Sequence, residues 1–178
     1  MKHCTRCHRL VLDTQPACPL DDGPLEPSEA DPPIGVGRVL GNYQLVALIG
    51  EGGMGNIYVG AHTRINRHVA IKVVRDEIAF RKDALTRFFD ESRTIGRLHH
   101  PNIVEQIDMV EDVVDGAYCV LELLRGADLK TRIAGGALPI ASVLRVGAQI
   151  ADALSAVHAL DIVHRDLKPE NQIGRAHV

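Results

Sequence analysis

His164-Arg165-Asp166-Leu167-Lys168-Pro169-Glu170-Asn171 places a carboxylate, an ammonium and an amide at i, i+2 and i+5, seven residues before the last residue of the sequence. Just upstream, Val143, Leu144, Val146, Gly147, Ile150, Leu154 and Val157 recur at about 3.6-residue spacing, which predicts a long helix from about Ile140 to Leu160. Ala148, Ala151, Ala153 and Ala156 permit close approach on other sides, so this helix is expected to have neighbours all around it. The stretch at Asp166 therefore reads as a polar loop set on a helical platform.

Further upstream, Asp128-Leu129-Lys130-Thr131-Arg132-Ile133 predicts a short helix with Asp near its N-terminus, ended by Gly135-Gly136. Val104 to Val114 and Ala117 to Leu124 read as strands joined at Asp115-Gly116, with Cys119 as an apolar filler. His99-His100-Pro101 has no third ligand nearby and reads as a structural turn. Leu85, Phe88, Phe89, Ser92, Ile95, Gly96 and Leu98 trace one face of a helix, and Glu91 lies near the edge of that face.

Val69-Ala70-Ile71-Lys72-Val73-Val74 is an apolar strand interrupted by one lysine. A lysine in a buried strand is costly unless its charge is paired, and phosphate oxygens and the Glu91 carboxylate are the natural partners. Before it, Tyr43 to Ile49 reads as a strand running into Gly50-Glu51-Gly52-Gly53-Met54-Gly55 and then a second strand, Asn56 to Gly60. In a dinucleotide-binding unit such glycines open a helix. Here β-branched Ile57 and Val59 follow, so the glycines sit in a hairpin whose N–H groups can fold over phosphates with no Cβ in the way.

The N-terminus has another character. Cys4-Thr5-Arg6-Cys7 and Cys18-Pro19-Leu20-Asp21 share one spacing, which lets two donors from a tight turn reach one ion. Zinc accepts carboxylate oxygen, so Cys4, Cys7, Cys18 and Asp21 make a chemically possible set, with His3, His8 and Asp22 as alternative fourth ligands. A module of residues 1–25 has too little apolar surface to fold without metal. Residues 26–42 are rich in Pro, Gly and acid and read as a semi-rigid linker that holds the module away from the strands beginning at Tyr43.

The 178 residues carry a net charge of −3, which gives no electrostatic case for nucleic acid or an anionic membrane as the main partner. With 3% aromatic residues and no Trp, the core is built from Leu, Ile, Val and Ala. No signal peptide and no run approaching ~18 apolar residues is expected. Three of the four cysteines lie in the first 18 residues, which favours metal over disulfides, a reducing compartment and a cytoplasmic location. Membrane attachment through a further C-terminal part of the parent protein stays open.

The order glycine-rich hairpin, V-A-I-K, helix glutamate, H-P-N-I-V, long helix, H-R-D-L-K-P-E-N resembles the bacterial Ser/Thr protein kinases of eukaryotic type over residues 43–171. The resemblance implies an α+β fold: a small lobe with an antiparallel five-stranded sheet and one helix, and the first helices of a large lobe. It implies ATP and Mg²⁺ as cofactors and protein Ser/Thr hydroxyls as substrates. Ile49, Gly50, Glu51, Gly52, Gly53, Met54, Gly55, Asn56 and Ile57 would cover the nucleotide, with Ile57 and Ala70 against the adenine. The backbone of Glu122 and Leu124 would receive the adenine edge, and Lys72, paired with Glu91, would hold the α- and β-phosphates. Asp166 would accept the substrate hydroxyl proton, Lys168 would neutralise the γ-phosphate, and Asn171 would bind Mg²⁺. Arg165 is the arrangement associated with control by activation-loop phosphorylation. The first 25 residues resemble the short zinc-ribbon modules that precede some bacterial kinases, with one extra residue, Asp22, between Asp21 and Gly23.

After Asn171 the family continues with D-F-G, an activation loop and A-P-E, whereas here Gln172 to Val178 follow. Without the D-F-G aspartate the principal Mg²⁺ ligand is missing, and transfer by these 178 residues alone is expected to be lost. The alternative function is then a non-catalytic nucleotide-binding or interaction fragment. Ile173 to Val178 can be encoded ATC GGA AGA GCA CAC GTC, which matches a common sequencing-library adapter, so residues 172–178 are expected to be a non-native tail.

Overall fold

A computed structural model describes residues 1–75, 98–112 and 116–174, together with Ile78, Asp83, Leu85, Thr86, Phe89 and Gly96. The chain divides into two units, Met1–Arg93 with Gln106–Leu123, and Thr94–Glu105 with Leu124–Val178.

In the first unit, β1 (Lys2–Cys4), β2 (Leu10–Val11) and β3 (Leu25–Pro27) form a small antiparallel sheet in the order β2-β1-β3. The larger sheet contains β4 (Val39–Leu40), β5 (Tyr43–Glu51), β6 (Gly55–His62), β7 (His68–Val74), β8 (Gln106–Asp112) and β9 (Gly116–Glu122), in the order β4-β5-β6-β7-β9-β8. All its pairings are antiparallel, and the five long strands are those that the apolar runs and glycine breaks predict. Pleating sends alternate residues to opposite faces. Leu45, Tyr58, Val69, Ile71, Tyr118 and Val120 fill one buried cluster with Leu40, while Val74, Ala117 and Cys119 fill another with Phe89. Cys119 is thus buried filler, as the apolar run suggests. Leu85, Thr86 and Phe89 have helical backbone, as expected, and so do Ile78 and Asp83 before them, whereas Glu91 lies outside the described residues.

The segment expected to be a linker differs from its reading. Leu40 is fully buried, β4 pairs with β5, and the Tyr58 hydroxyl donates to the Ile34 carbonyl at 2.8 Å. Gly37 N donates to Leu45 O at 2.7 Å and Leu45 N to Arg38 O at 2.8 Å. The composition is that of a linker, but an open sheet edge offers unpaired backbone groups, and Val36 and Leu40 supply apolar anchors beside it. This adds a short sixth strand to the expected five. Nor is the N-terminal module held away: the Leu12 N–H donates to Val46 O at 2.8 Å, and Val11 is buried with Val46, Ala47 and Val59.

In the second unit, α1 (Leu129–Ala134) starts at Asp128, whose carboxylate accepts the Thr131 N–H at 2.7 Å and its hydroxyl at 3.0 Å. The expected turn at His100 is present, with Ile103 N donating to His100 O at 3.1 Å. The long helix α2 (Ile140–His158) stops two residues short of its predicted end. None of its residues is buried, and Ile140 is 79% exposed, so the expected surrounding neighbours are not found among the described residues. By length and composition alone α2 is apolar enough to cross a membrane, but Arg145 and Asp152 interrupt it and Asp152 pairs with His100 at 3.2 Å.

Candidate active site and candidate metal centre

Arg165 has a left-handed backbone (φ 58°), and this turn brings the Asp166 N–H to within 2.8 Å of the His164 carbonyl. Pro169 then opens a single 3₁₀ turn, Pro169–Asn171, that folds Asn171 back toward Asp166. The Asn171 side-chain amide donates to both the Asp166 carbonyl and its carboxylate Oδ2, each at 2.9 Å. Lys168 Nζ reaches the same Oδ2 at 2.8 Å. The three predicted residues therefore meet at one carboxylate oxygen. The Lys168 contact, followed by the Asn171 amide, holds the Asp166 carboxyl below its ordinary range, so it is ionised at neutral pH. Asn171 spends its N–H₂ on Asp166, which leaves its amide oxygen as the atom a hard cation would take.

Anchors that the sequence reading missed hold this loop. Lys130 of α1 pairs with Glu170 at 2.9 Å, Leu129 N donates to Gln172 O at 2.7 Å, and Gly174 N donates to Ala127 O at 3.1 Å. Asp128 and Ile173 form an antiparallel bridge, so residues 172–174 are knitted to the start of α1. Glu170 and Lys130 are far apart in sequence and carry no local pattern that would pair them.

The remaining kinase-like positions lie on the large sheet or beside it. Gly52 and Gly55 exchange backbone hydrogen bonds at 3.0 and 3.3 Å, closing a tight hairpin over Gly53-Met54. A Cβ on Gly55 would collide with the Val73 carbonyl, whereas one on Gly53 would meet nothing within 4 Å. The tip at Gly53 is thus open space, while position 55 admits only glycine. Register pairs Ile57 with Lys72 and Lys72 with Cys119, which sets Lys72 on the same face as Ala70 and Ile57. Ile49, Gly50 and Glu51 end β5, Asn56 begins the return strand after Gly55, and Glu122 ends β9. Leu124 and the Asp166 loop belong to the second unit.

At the N-terminus the geometry selects among the open ligand choices. Single ligand atoms of Cys4, Cys7, Cys18 and Asp21 all lie within 4.8 Å of one another, and Cys4 and Cys18 are fully buried. Cys7 and Cys18 sulfurs are 3.7 Å apart and the Cys4 sulfur is 3.4 Å from Asp21 Oδ1. A tetrahedral ion with metal–sulfur bonds of about 2.3 Å spaces its sulfurs by roughly 3.8 Å, so the set fits. The two knuckles are built alike. His8 N donates to Cys4 O and Asp22 N to Cys18 O, each at 2.9 Å, and both His8 and Asp22 adopt left-handed backbone (φ 58° and 53°). Cys4 N in turn bonds Arg9 O at 2.9 Å, as Cys18 N bonds Gly23 O at 3.0 Å. Asp22 is therefore the counterpart of His8, a turn-closing residue, and the extra position does not displace Asp21. Gly23 is required here, since a Cβ would lie 2.8 Å from both Asp21 Oδ1 and the Cys4 sulfur.

Burial pushes the Cys18 thiol up to about 12 and lifts Cys7 as well. Burial would also lift Asp21, but the Gly23 N–H and the neighbouring thiols hold its carboxyl below the ordinary range. Without a cation this is a set of two buried thiols and one half-buried thiol around one carboxylate; with one, each thiol gives up a proton to become a ligand.

Residues 43–175 match the family described as Protein kinase domain. The chain is 40% identical over 143 residues to serine/threonine-protein kinase Pkn1 of Myxococcus xanthus, covering 80% of this chain and 20% of that protein. It is 39% identical over 135 residues to serine/threonine-protein kinase PrkC of Bacillus subtilis, covering 75% and 21%. It thus spans about a fifth of the length of these relatives. Among solved structures, the PknI kinase domain of Mycobacterium tuberculosis is similar with a TM-score of 0.68 and 26% identity, over 81% of this chain and 59% of that one. With three quarters of its length inside that match, the chain belongs to the protein kinase family.

Proposed function

We propose that this chain carries the nucleotide-covering sheet and catalytic loop of a Ser/Thr protein kinase, which moves the γ-phosphoryl group of ATP to protein Ser or Thr hydroxyls. The observation that supports it most is the convergence of Lys168 and Asn171 on one oxygen of Asp166. Asp166 then orients the substrate hydroxyl and takes its proton, and Lys168 turns from Asp166 toward the γ-phosphate. Asn171 offers its amide oxygen to Mg²⁺, which when bound supplies charge neutralisation on the phosphates. In the same reading Gly50 to Asn56 cover the phosphates, and Lys72 with Glu91 holds the α- and β-oxygens. Ile49, Ile57 and Ala70 enclose the adenine, whose edge meets the Glu122 and Leu124 backbone.

The test is transfer of radiolabelled γ-phosphate to a generic basic protein. The protein expressed from its full reading frame is expected to transfer, and Asp166→Ala to lower the rate about 10²–10⁴-fold. Undiminished transfer by that variant overturns the role of Asp166. The 178 residues contain no Asp-Phe-Gly and are expected to transfer nothing alone; Asp166-dependent transfer by them overturns that expectation.

The thiol-rich cluster carries a second reading: Cys4, Cys7, Cys18 and Asp21 hold a structural Zn²⁺. Thiolate-dominated tetrahedral sites select zinc over hard cations. Elemental analysis of the purified protein is expected to find one zinc, lost in Cys4→Ser/Cys7→Ser. Protein purified without chelator and free of zinc refutes this reading.

A further inference from the structure

Strand β5 is irregular at two places. Leu45 pairs with Gly60 and Ala47 with Val59, which leaves Val46 without a register partner; Leu48 pairs with Tyr58 and Gly50 with Ile57, which leaves Ile49 without one. A bulge of this kind frees backbone groups that a ladder would have used. The N-terminal module meets β5 at both. Leu12 N donates to the Val46 carbonyl at 2.8 Å, and the Arg9 guanidinium donates to the Leu48 carbonyl at 3.3 Å, beside the second bulge. Gln15, 7% exposed, adds a side-chain contact of 2.8 Å to His68 at the start of β7.

Apolar packing follows the same path. Val11, Val46, Ala47 and Val59 form one buried cluster, against which Leu20, Leu25 and Ile49 pack. Leu20 lies within the second knuckle, between ligands Cys18 and Asp21, and Arg9 lies two residues beyond ligand Cys7. Leu20 and Arg9, two of the residues that touch β5, are therefore placed by the turns that a metal would close. Ile49 in turn runs directly into the glycine-rich hairpin.

We infer that metal occupancy of the Cys4, Cys7, Cys18 and Asp21 cluster governs the order of β5 and of the hairpin it leads into, through the contacts at the two bulges. The module is a buttress of the nucleotide-covering strand rather than a tethered appendage. Its sheet of two- and three-residue strands cannot keep its shape without the cross-link. When the ion leaves, the knuckles open, Leu20 and Arg9 lose their placement, and β5 is left with its ladder to β4 and β6 and its packing on the opposite face through Leu45. The inference rests on the zinc reading above.

Hydrogen exchange read peptide by peptide tests it, together with zinc content, on the 178-residue chain before and after removal of zinc by chelator. Exchange over residues 43–56 is expected to accelerate at least tenfold on zinc removal, with residues 140–158 unchanged. The double variant Val11→Ala/Gln15→Ala leaves every ligand in place; it is expected to bind one zinc and still show the fast pattern. One bound zinc with unchanged exchange over 43–56 after its removal overturns the inference and leaves the zinc reading standing. Slow exchange over 43–56 in the zinc-loaded double variant also overturns it, even where chelation unfolds the whole chain. Absence of zinc in the untreated protein overturns both.

Discussion

At Cys4, Cys7, Cys18 and Asp21, four donors converge where two of them are fully buried, and none of the four brings a positive charge. At Asp166 the carboxylate lies in solvent beside its own ammonium and amide. The first arrangement is costly as it stands, because burying ligands without a counter-charge forgoes their hydration. The second costs little, since both partners stay in water and exposed pairs add little to stability. On the proposed reading the difference separates the two roles: one cluster would hold the chain together around an ion, the other would keep reactive groups accessible in the right protonation state.

The largest expected break of that comparison is Cys18→Ala. Structural zinc contributes about 10–16 kcal/mol in zinc-finger peptides, so losing one ligand is expected to abolish zinc binding and melt the β1–β3 sheet. Elemental analysis and circular dichroism check it; a variant with unchanged melting puts the cluster in the same class as the exposed one. Next comes Lys168→Met in the full-length kinase. Removal of one electrostatic partner is expected to lower the transfer rate about 10²–10³-fold while the melting temperature stays put. A large loss of stability would show that the loop, too, is structural.

Acid sharpens the contrast from another side. Because burial lifts Cys18 to about 12 and raises Cys7, zinc must displace protons, and its affinity falls as pH is lowered. Competition against a chelator is expected to show at least a tenfold loss from about pH 8 to about pH 7. Asp166 is shifted the opposite way, below its ordinary range, and stays ionised throughout that interval. The smallest effect is expected for Asp128→Ala, which removes the α1 cap and shifts the chemical denaturation midpoint slightly downward, with zinc content unchanged.

Motifs made of near neighbours were legible in the sequence. Asp128 three residues before Thr131, the glycines between two β-rich runs, and the Asp166, Lys168, Asn171 spacing each act over one turn or one hairpin. Their physics is complete within a short window, and each is found where it was expected. The long helix was also legible as a helix, though not its surroundings: apolar residues at 3.6 spacing specify a face, and α2 fully buries none of it, with Val146, Ile150, Leu154 and Val157 half-buried and Val143 and Leu144 exposed. Glu91, the partner expected for Lys72, falls outside those residues.

The amino-acid sequence alone determined the five long strands, the glycine hairpin, the strand lysine and the Asp166 loop, since each depends on periodicity or on side chains a few positions apart; their antiparallel pairing came only through the family resemblance. Only the tertiary structure decided that Asp21 completes the cysteine set while Asp22 closes its turn, because the two differ by backbone φ and not by chemistry. It alone also turned a Pro-rich linker into an edge strand and seated the N-terminal module on β5. The first outcome depends on an open sheet edge and the second on the Val46 carbonyl that a bulge leaves free, and both are properties of how strands pair, which no single strand's sequence contains.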